Sequence, residues 1–81
     1  MRAIYTLRDT VGRIYRDIVC DDTNEEVAKR NLAFQVNNNP QFMFLAKDLE
    51  FMKVGEFDEH TGVINGLNPV VVCHVSDLIG A

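Results

Sequence analysis

Gly55-Glu56-Phe57-Asp58-Glu59-His60-Thr61-Gly62-Val63-Ile64 is the stretch on which the fold turns. Asp58 opens an Asx-type turn, Gly62 supplies a residue that takes positive φ without steric cost, and Phe57, Val63 and Ile64 flank the turn with strand-forming side chains. The pattern predicts a β-hairpin. Upstream, residues 49–57 form its first strand, with Leu49, Phe51 and Phe57 on one parity and Met52 and Val54 on the other. Such a strand is either central and two-sided or bulged at Gly55, and both options demand a covered second face. Downstream, Val63 and Ile64 return as a short strand, residues 66–69 make a break, and residues 70–75 form a continuous apolar strand. Ser76 or Asp77 is expected to cap a last turn carrying Leu78 and Ile79.

The first twenty residues read as a second hairpin. A four-residue loop over residues 9–12 sets Arg8 opposite Arg13 and Leu7 opposite Ile14, which gathers Ala3, Tyr5, Leu7, Ile14, Ile18 and Cys20 on a core face, with Arg16 the exception. The other face then holds Arg2, Ile4, Thr6, Arg8, Arg13, Tyr15, Asp17 and Val19. A helix is expected to start near Asp22 or Thr23, where Asp22 with Glu25 and Thr23 with Glu26 fit a capping box and the carboxylates favour the positive helix end. It runs to about Val36 on a stripe of Val27, Asn31 and Phe34, with Ala28, Leu32 and Gln35 beside them. Asn37-Asn38-Asn39-Pro40 ends it, since asparagine tolerates left-handed geometry and proline disfavours helix at the residue before it. Phe42, Met43 and Phe44 follow as an apolar plug or a dimerisation patch. The expected architecture is one α+β domain over residues 1–81: an N-terminal β-hairpin, one α-helix, then antiparallel strands, with the helix packed on one face of the sheet.

At 81 residues the chain buries a small core, and self-association would supplement it. With 47% hydrophobic and 25% charged residues it is globular in composition. The net charge of −4 argues against coating nucleic acid by bulk attraction, yet the first twenty residues carry +2 and the remainder −6, a basic end on an acidic body. Two cysteines and no secretory pattern fit a reducing intracellular setting with free thiols. Apolar runs such as residues 70–73 are far too short for a membrane helix.

Joined to the preceding Lys47-Asp48-Leu49-Glu50-Phe51-Met52-Lys53-Val54, the hairpin motif resembles the small nonstructural protein of gokushoviruses, the single-stranded DNA microviruses of bacteria. Ile4-Tyr5-Thr6-Leu7-Arg8-Asp9-Thr10-Val11-Gly12, the acidic helix start over residues 21–26, the helix with Arg30 and Phe34, and Asn37-Asn38-Asn39 carry the likeness in the same order, over residues 4–64. The resemblance implies a nonstructural protein made in the cytoplasm of the infected bacterium. It implies a DNA-binding factor that helps shift synthesis from duplex to single-stranded genomes for packaging, with single-stranded or duplex viral DNA as partner.

Among the chemical constellations, the polar hairpin face stands first. Strand alternation puts Arg2, Arg8 and Arg13 on the side of Tyr15, phosphate donors beside a ring on which a base stacks; the alternative is an ordinary solvated face. Cys73 and His74 are adjacent on a strand and point apart, so no metal site is expected. Asp58, Glu59 and His60 are exposed turn residues. No phosphate loop, catalytic triad or cysteine nucleophile can be assembled, so neither an enzyme nor a cofactor is expected. The competing functional class is a protein-interaction module that adapts or inhibits a host or phage replication or assembly protein, with its acidic body and the two-sided strand over residues 49–57 as the contact surface. A homo-oligomer with no membrane association completes the expectation.

Overall fold

The computed structural model describes residues 1–21 and 24–80, with Cys20 and Asp21 described through their backbone. Two β-hairpins share one antiparallel sheet. Strands β1 (Arg2–Asp9) and β2 (Ile14–Asp21) precede helices α1 (Glu25–Asn37) and α2 (Pro40–Leu45), a 3₁₀ turn at Ala46–Asp48, strands β3 (Leu49–Phe57) and β4 (Ile64–His74), and a final 3₁₀ turn at Val75–Leu78. The strand order is β2-β1-β3-β4, so each hairpin contributes one central and one outer strand. This is the expected α+β architecture, with a second short helix added. No helix among the described residues is long and apolar enough to cross a membrane.

The turn that sets the β3–β4 hairpin forms as its chemistry dictates. Asp58 Oδ1 accepts the backbone N–H of His60 at 2.9 Å, the Gly62 N–H donates to the Asp58 carbonyl at 2.7 Å, and Gly62 takes φ +76°. The Asp58 N–H closes the loop on the Val63 carbonyl at 2.9 Å. Strand β3 is both two-sided and bulged. Its pairing with β1 skips a residue between Lys53 and Gly55, and its pairing with β4 shifts twice. Gly55 belongs there for a steric reason: a Cβ at this position would lie 2.7 Å from the Asn65 carbonyl oxygen. The expected break at residues 66–69 lies inside one continuous strand, because the chain stays extended while Leu67, Asn68 and Pro69 bulge away from the β3 ladder between the Gly55–Gly66 and Lys53–Val70 pairs.

The first hairpin corrects its expected register. The loop is Thr10–Arg13 rather than 9–12: Asp9 stays in the strand opposite Ile14, and Arg8 pairs with Tyr15. Asp9 Oδ1 accepts the N–H groups of Val11 and Gly12, both at 3.0 Å, and Arg13 rather than Gly12 takes the left-handed conformation, φ 56°. A bulge then sets Arg16 and Asp17 together opposite Leu7, and the Thr6 hydroxyl donates to this pair of carbonyls, 3.0 Å from Arg16 O and 2.9 Å from Asp17 O. Beyond the bulge the parity of β2 inverts: Val19 sits opposite Tyr5 and Ile18 opposite Thr6, the reverse of the expected faces.

Helix α1 begins one to two residues later than expected. Its cap is Asn24, whose Oδ1 accepts the Val27 N–H at 3.0 Å; the alternatives Asp22 and Thr23 lie outside the described residues. The buried stripe is Ala28, Leu32, Ala33 and Val36, rotated from the one expected, so that Phe34 is 72% exposed. None of the three asparagines adopts positive φ. Instead Asn39 caps α2, accepting from Gln41 and Phe42, with Pro40 in the first helical turn where its missing N–H costs nothing. Asn37 ties α1 to the chain end: its amide donates to the Ala33 and Leu78 carbonyls at 2.7 and 2.9 Å and accepts the Gly80 N–H at 2.8 Å. The last turn has no side-chain cap from Ser76 or Asp77; it buries Val75 and Leu78 and leaves Ile79 exposed.

One core joins these parts. Tyr5, Leu49 and Phe51 of the sheet pack with Ala28, Leu32, Ala33 and Val36 of α1, Ala46, Val75 and Leu78. Tyr5 and Phe51 stack with ring centroids 4.8 Å apart, and Phe42 and Met43 of α2 pack half-buried against the cluster, while Phe44 is exposed. Ile4, Thr6 and Met52 are buried outside this cluster, because alternation turns them to the opposite side of the sheet.

Candidate nucleic-acid interface

The side of the sheet turned away from the core is built from cross-strand rows that the pairing registers define. One row reads Tyr15, Arg8, Glu50, His74 from β2 to β4; the next reads Ile18, Thr6, Met52, Val71; a third sets Ile4 beside Gly55 and Gly66; the last sets Arg2 beside Phe57 and Ile64. The first row is polar and linked. The Arg8 guanidinium carbon lies 5.9 Å from the centroid of the Tyr15 ring, and Arg8 Nη1 donates to Glu50 Oε1 at 3.3 Å. His74 Nδ1 stands 3.8 Å from Glu50 Oε2. Glu50 is thus held between two basic groups and draws on part of the charge of Arg8.

Three of the four residues expected to form a binding surface share this face. Arg8 and Tyr15 are direct cross-strand neighbours, and Arg2 lies on the same face at the far end of β1. Arg13 stands apart in the hairpin loop, exposed and outside the paired rows, with a left-handed backbone. Arg16, the expected exception on the core side, pairs with Asp9 at 4.0 Å. Asp17 and Val19 leave the face because of the β2 bulge, and Ile18 takes their place. Glu50, His74, Met52 and Val71 were not drawn into the sequence reading of the site. The alternation of β3 carried the signal for Glu50 and Met52, but only the β1–β3 pairing reveals which β1 residues they meet.

On the helical side, a cleft of about 370 Å³ opens between α1 and the first hairpin, walled by Tyr5, Leu7, Val19, Leu32, Phe42 and Phe51 and joined by Asp17, Asn31 and Gln35. Cys73 is a free thiol packed half-buried against the core, and burial pushes its pKa up. Backbone N–H donation, chiefly from His60, holds the Asp58 carboxyl below the usual aspartate range, a turn-forming role. Lys29 pairs with Glu26 at 3.2 Å on the exposed helix surface.

These features define a small sheet-and-helix domain whose helices all pack on one side and whose other side presents a mixed polar and apolar sheet surface. Residues 2–78 match the family described as Phage ORF5 protein, nearly the whole chain, and the protein belongs to that family. No curated protein and no solved structure matches it. The phage origin implied by the sequence resemblance is thereby established.

Proposed function

We propose that this protein is a DNA-binding factor of a gokushovirus-type microvirus, acting in the cytoplasm of the infected bacterium to support viral single-stranded DNA replication and the switch to genome synthesis for packaging. The observation that carries the reading is the Arg8–Tyr15 pair on a helix-free sheet face. A guanidinium over a tyrosine ring presents a phosphate donor and a stacking surface side by side, the combination by which open sheets and grooves bind single strands with little sequence preference. Arg2 extends the donors along β1 and Arg13 extends them beyond the hairpin tip. The acidic remainder of the chain repels a second strand, which favours a single-stranded over a duplex ligand.

Three phosphate contacts on a single strand correspond to a log–log salt slope of about −2, and modest affinity follows. The test is fluorescence anisotropy with a labelled single-stranded oligonucleotide at low salt. Replacing Arg8 and Arg13 with alanine is expected to weaken binding about tenfold or more, across sequences, with the circular dichroism spectrum unchanged. A double variant that binds like the parent overturns this surface.

A second reading, a module that adapts or inhibits a host or phage replication or assembly protein, is favoured by one observation. Phe34 and Phe44 project from the helical side, each 72% exposed, on the acidic part of the chain. A parent protein that retains no oligonucleotide but captures a replication or assembly protein, with capture lost on Phe34→Ala and Phe44→Ala, gives this reading precedence.

A further inference from the structure

The open sheet face carries a mostly apolar row, Ile18, Thr6, Met52 and Val71, that none of the described helices covers. Thr6 and Met52 at its centre are 3% and 5% exposed, yet Ile18 and Val71 at its ends are 72% and 45% exposed, and Ile64 lies beyond in the last row. Large aliphatic side chains flanking a buried centre are what one half of a sheet sandwich looks like before the other half is added.

We infer that the missing half is a second copy of this chain, stacked face to face about a two-fold axis parallel to the strands. The charges choose both the occupant and the axis. On this face β1 carries Arg2 and Arg8 while β3 carries Glu50. A two-fold axis along the strands lays β1 over the partner's β3 and β2 over the partner's β4. Each Arg8 then faces the partner's Glu50, and each Ile18 faces the partner's Val71. The perpendicular in-plane axis would set Arg8 toward the partner's Arg2, a like-charge contact. Opposite charges that face one another in the chosen axis make the surface self-complementary, as an isologous interface requires.

The dimensions are sufficient. Four strands spaced about 4.8 Å apart and about seven residues rising 3.3 Å each give a face of roughly 19 by 23 Å, so two faces bury on the order of 1,000 Å². That is the lower bound for a specific protein interface, and it describes a dimer in exchange at micromolar concentration rather than an obligate one. Gly55 and Gly66, adjacent in the third row, leave that part of the surface flat and allow close approach of the second sheet. The inference does not depend on nucleic acid, although both uses engage the same face.

Sedimentation equilibrium from 1 to 200 µM tests it. The parent is expected to rise from 9.2 kDa toward twice that mass. Arg8→Glu and Glu50→Arg are each expected to weaken self-association at least tenfold. An equimolar mixture of the two single variants is expected to recover it, because the mixed dimer restores opposite charges between chains while each chain keeps its own mismatched pair. Ile18→Glu, on an exposed outer-strand site, is expected to stay monomeric with an unchanged melting profile, and it decides the matter if either charge variant fails to fold. A parent that remains at 9.2 kDa, a mixture no stronger than its components, or an Ile18→Glu protein that dimerises like the parent overturns the inference. Oligonucleotide titration of the same samples reads the DNA proposal separately: a dimer that binds no DNA leaves this interface standing and removes the other.

Discussion

Single residues in this chain act mostly by fixing backbone that its neighbours would otherwise leave free. Gly55 is the sharpest case, since any side chain there meets the Asn65 carbonyl at 2.7 Å and the β3–β4 bulge must give way. Gly55→Ala is expected to cost about 1–3 kcal/mol in urea unfolding, the range of close-approach glycines whose space is backbone-filled. Asn37 clamps α1 to the chain end with three hydrogen bonds, and Asn37→Ala is expected to cost about 1–3 kcal/mol while raising amide exchange at residues 78–80 first. Asp58 adds a pH signature. Its folded pKa is depressed by the N–H donors, so its contribution is present above the ordinary aspartate pKa and is lost as pH falls through the folded value. Asp58→Asn is therefore expected to flatten the acid limb of the stability profile below about pH 4, read by thermal melts across pH.

At the scale of elements, the helix offers a clean contrast. Val36 is fully buried and Phe34 is largely exposed, so Val36→Ala is expected to cost about 1–3 kcal/mol and Phe34→Ala to stay within about 0.5 kcal/mol. The reverse ranking would restore the stripe that periodicity alone suggested. That stripe went astray because α1 mixes alanines with asparagine and glutamine, and two small buried residues, Ala28 and Ala33, carry little weight in a hydrophobicity pattern although they let the helix approach the sheet closely. Strand β3 and the Asp58–Gly62 turn were legible because turn chemistry is local. The hairpin register was not, since a bulge adds one residue without any obligatory sequence mark; Thr6, with its hydroxyl bridging two carbonyls, marks this one only once the strands are paired. Helix α2 was hidden for a similar reason: Asn-Pro stops one helix and starts another, and a six-residue element carries too little periodicity to tell which. Alternation along β1 puts Arg2 and Arg8 on the face turned away from the core, as the pairing has them, while the partners of Arg8 across β3 and the arrival of Ile18 on that face depend on non-local pairing.

For the whole molecule, the central question is what occupies the open face. If one surface serves both a second copy and a DNA strand, the dimer is a reserve from which nucleic acid draws monomers, and the apparent DNA affinity falls as the dimer fraction grows. Ile18→Ser removes apolar area without adding charge. It is expected to raise apparent oligonucleotide affinity about two- to tenfold at micromolar protein and to leave it unchanged at nanomolar protein, compared by anisotropy at the two concentrations.

The bulges in the two outer strands bear on a different hazard. A sheet with a long, flat border invites further chains to add strand after strand, which ends in filaments. Here β2 is kinked where Arg16 and Asp17 share one partner, and β4 swings outward through Leu67, Asn68 and Pro69, the last without an N–H to offer a newcomer. Neither border presents an unbroken ladder, which disfavours lateral growth on both sides; the proposed face-to-face dimer, by contrast, would use the flat of the sheet and close on itself. Pro69→Val is accordingly expected to leave the monomer folded while shortening the lag of thioflavin-positive aggregation at high concentration.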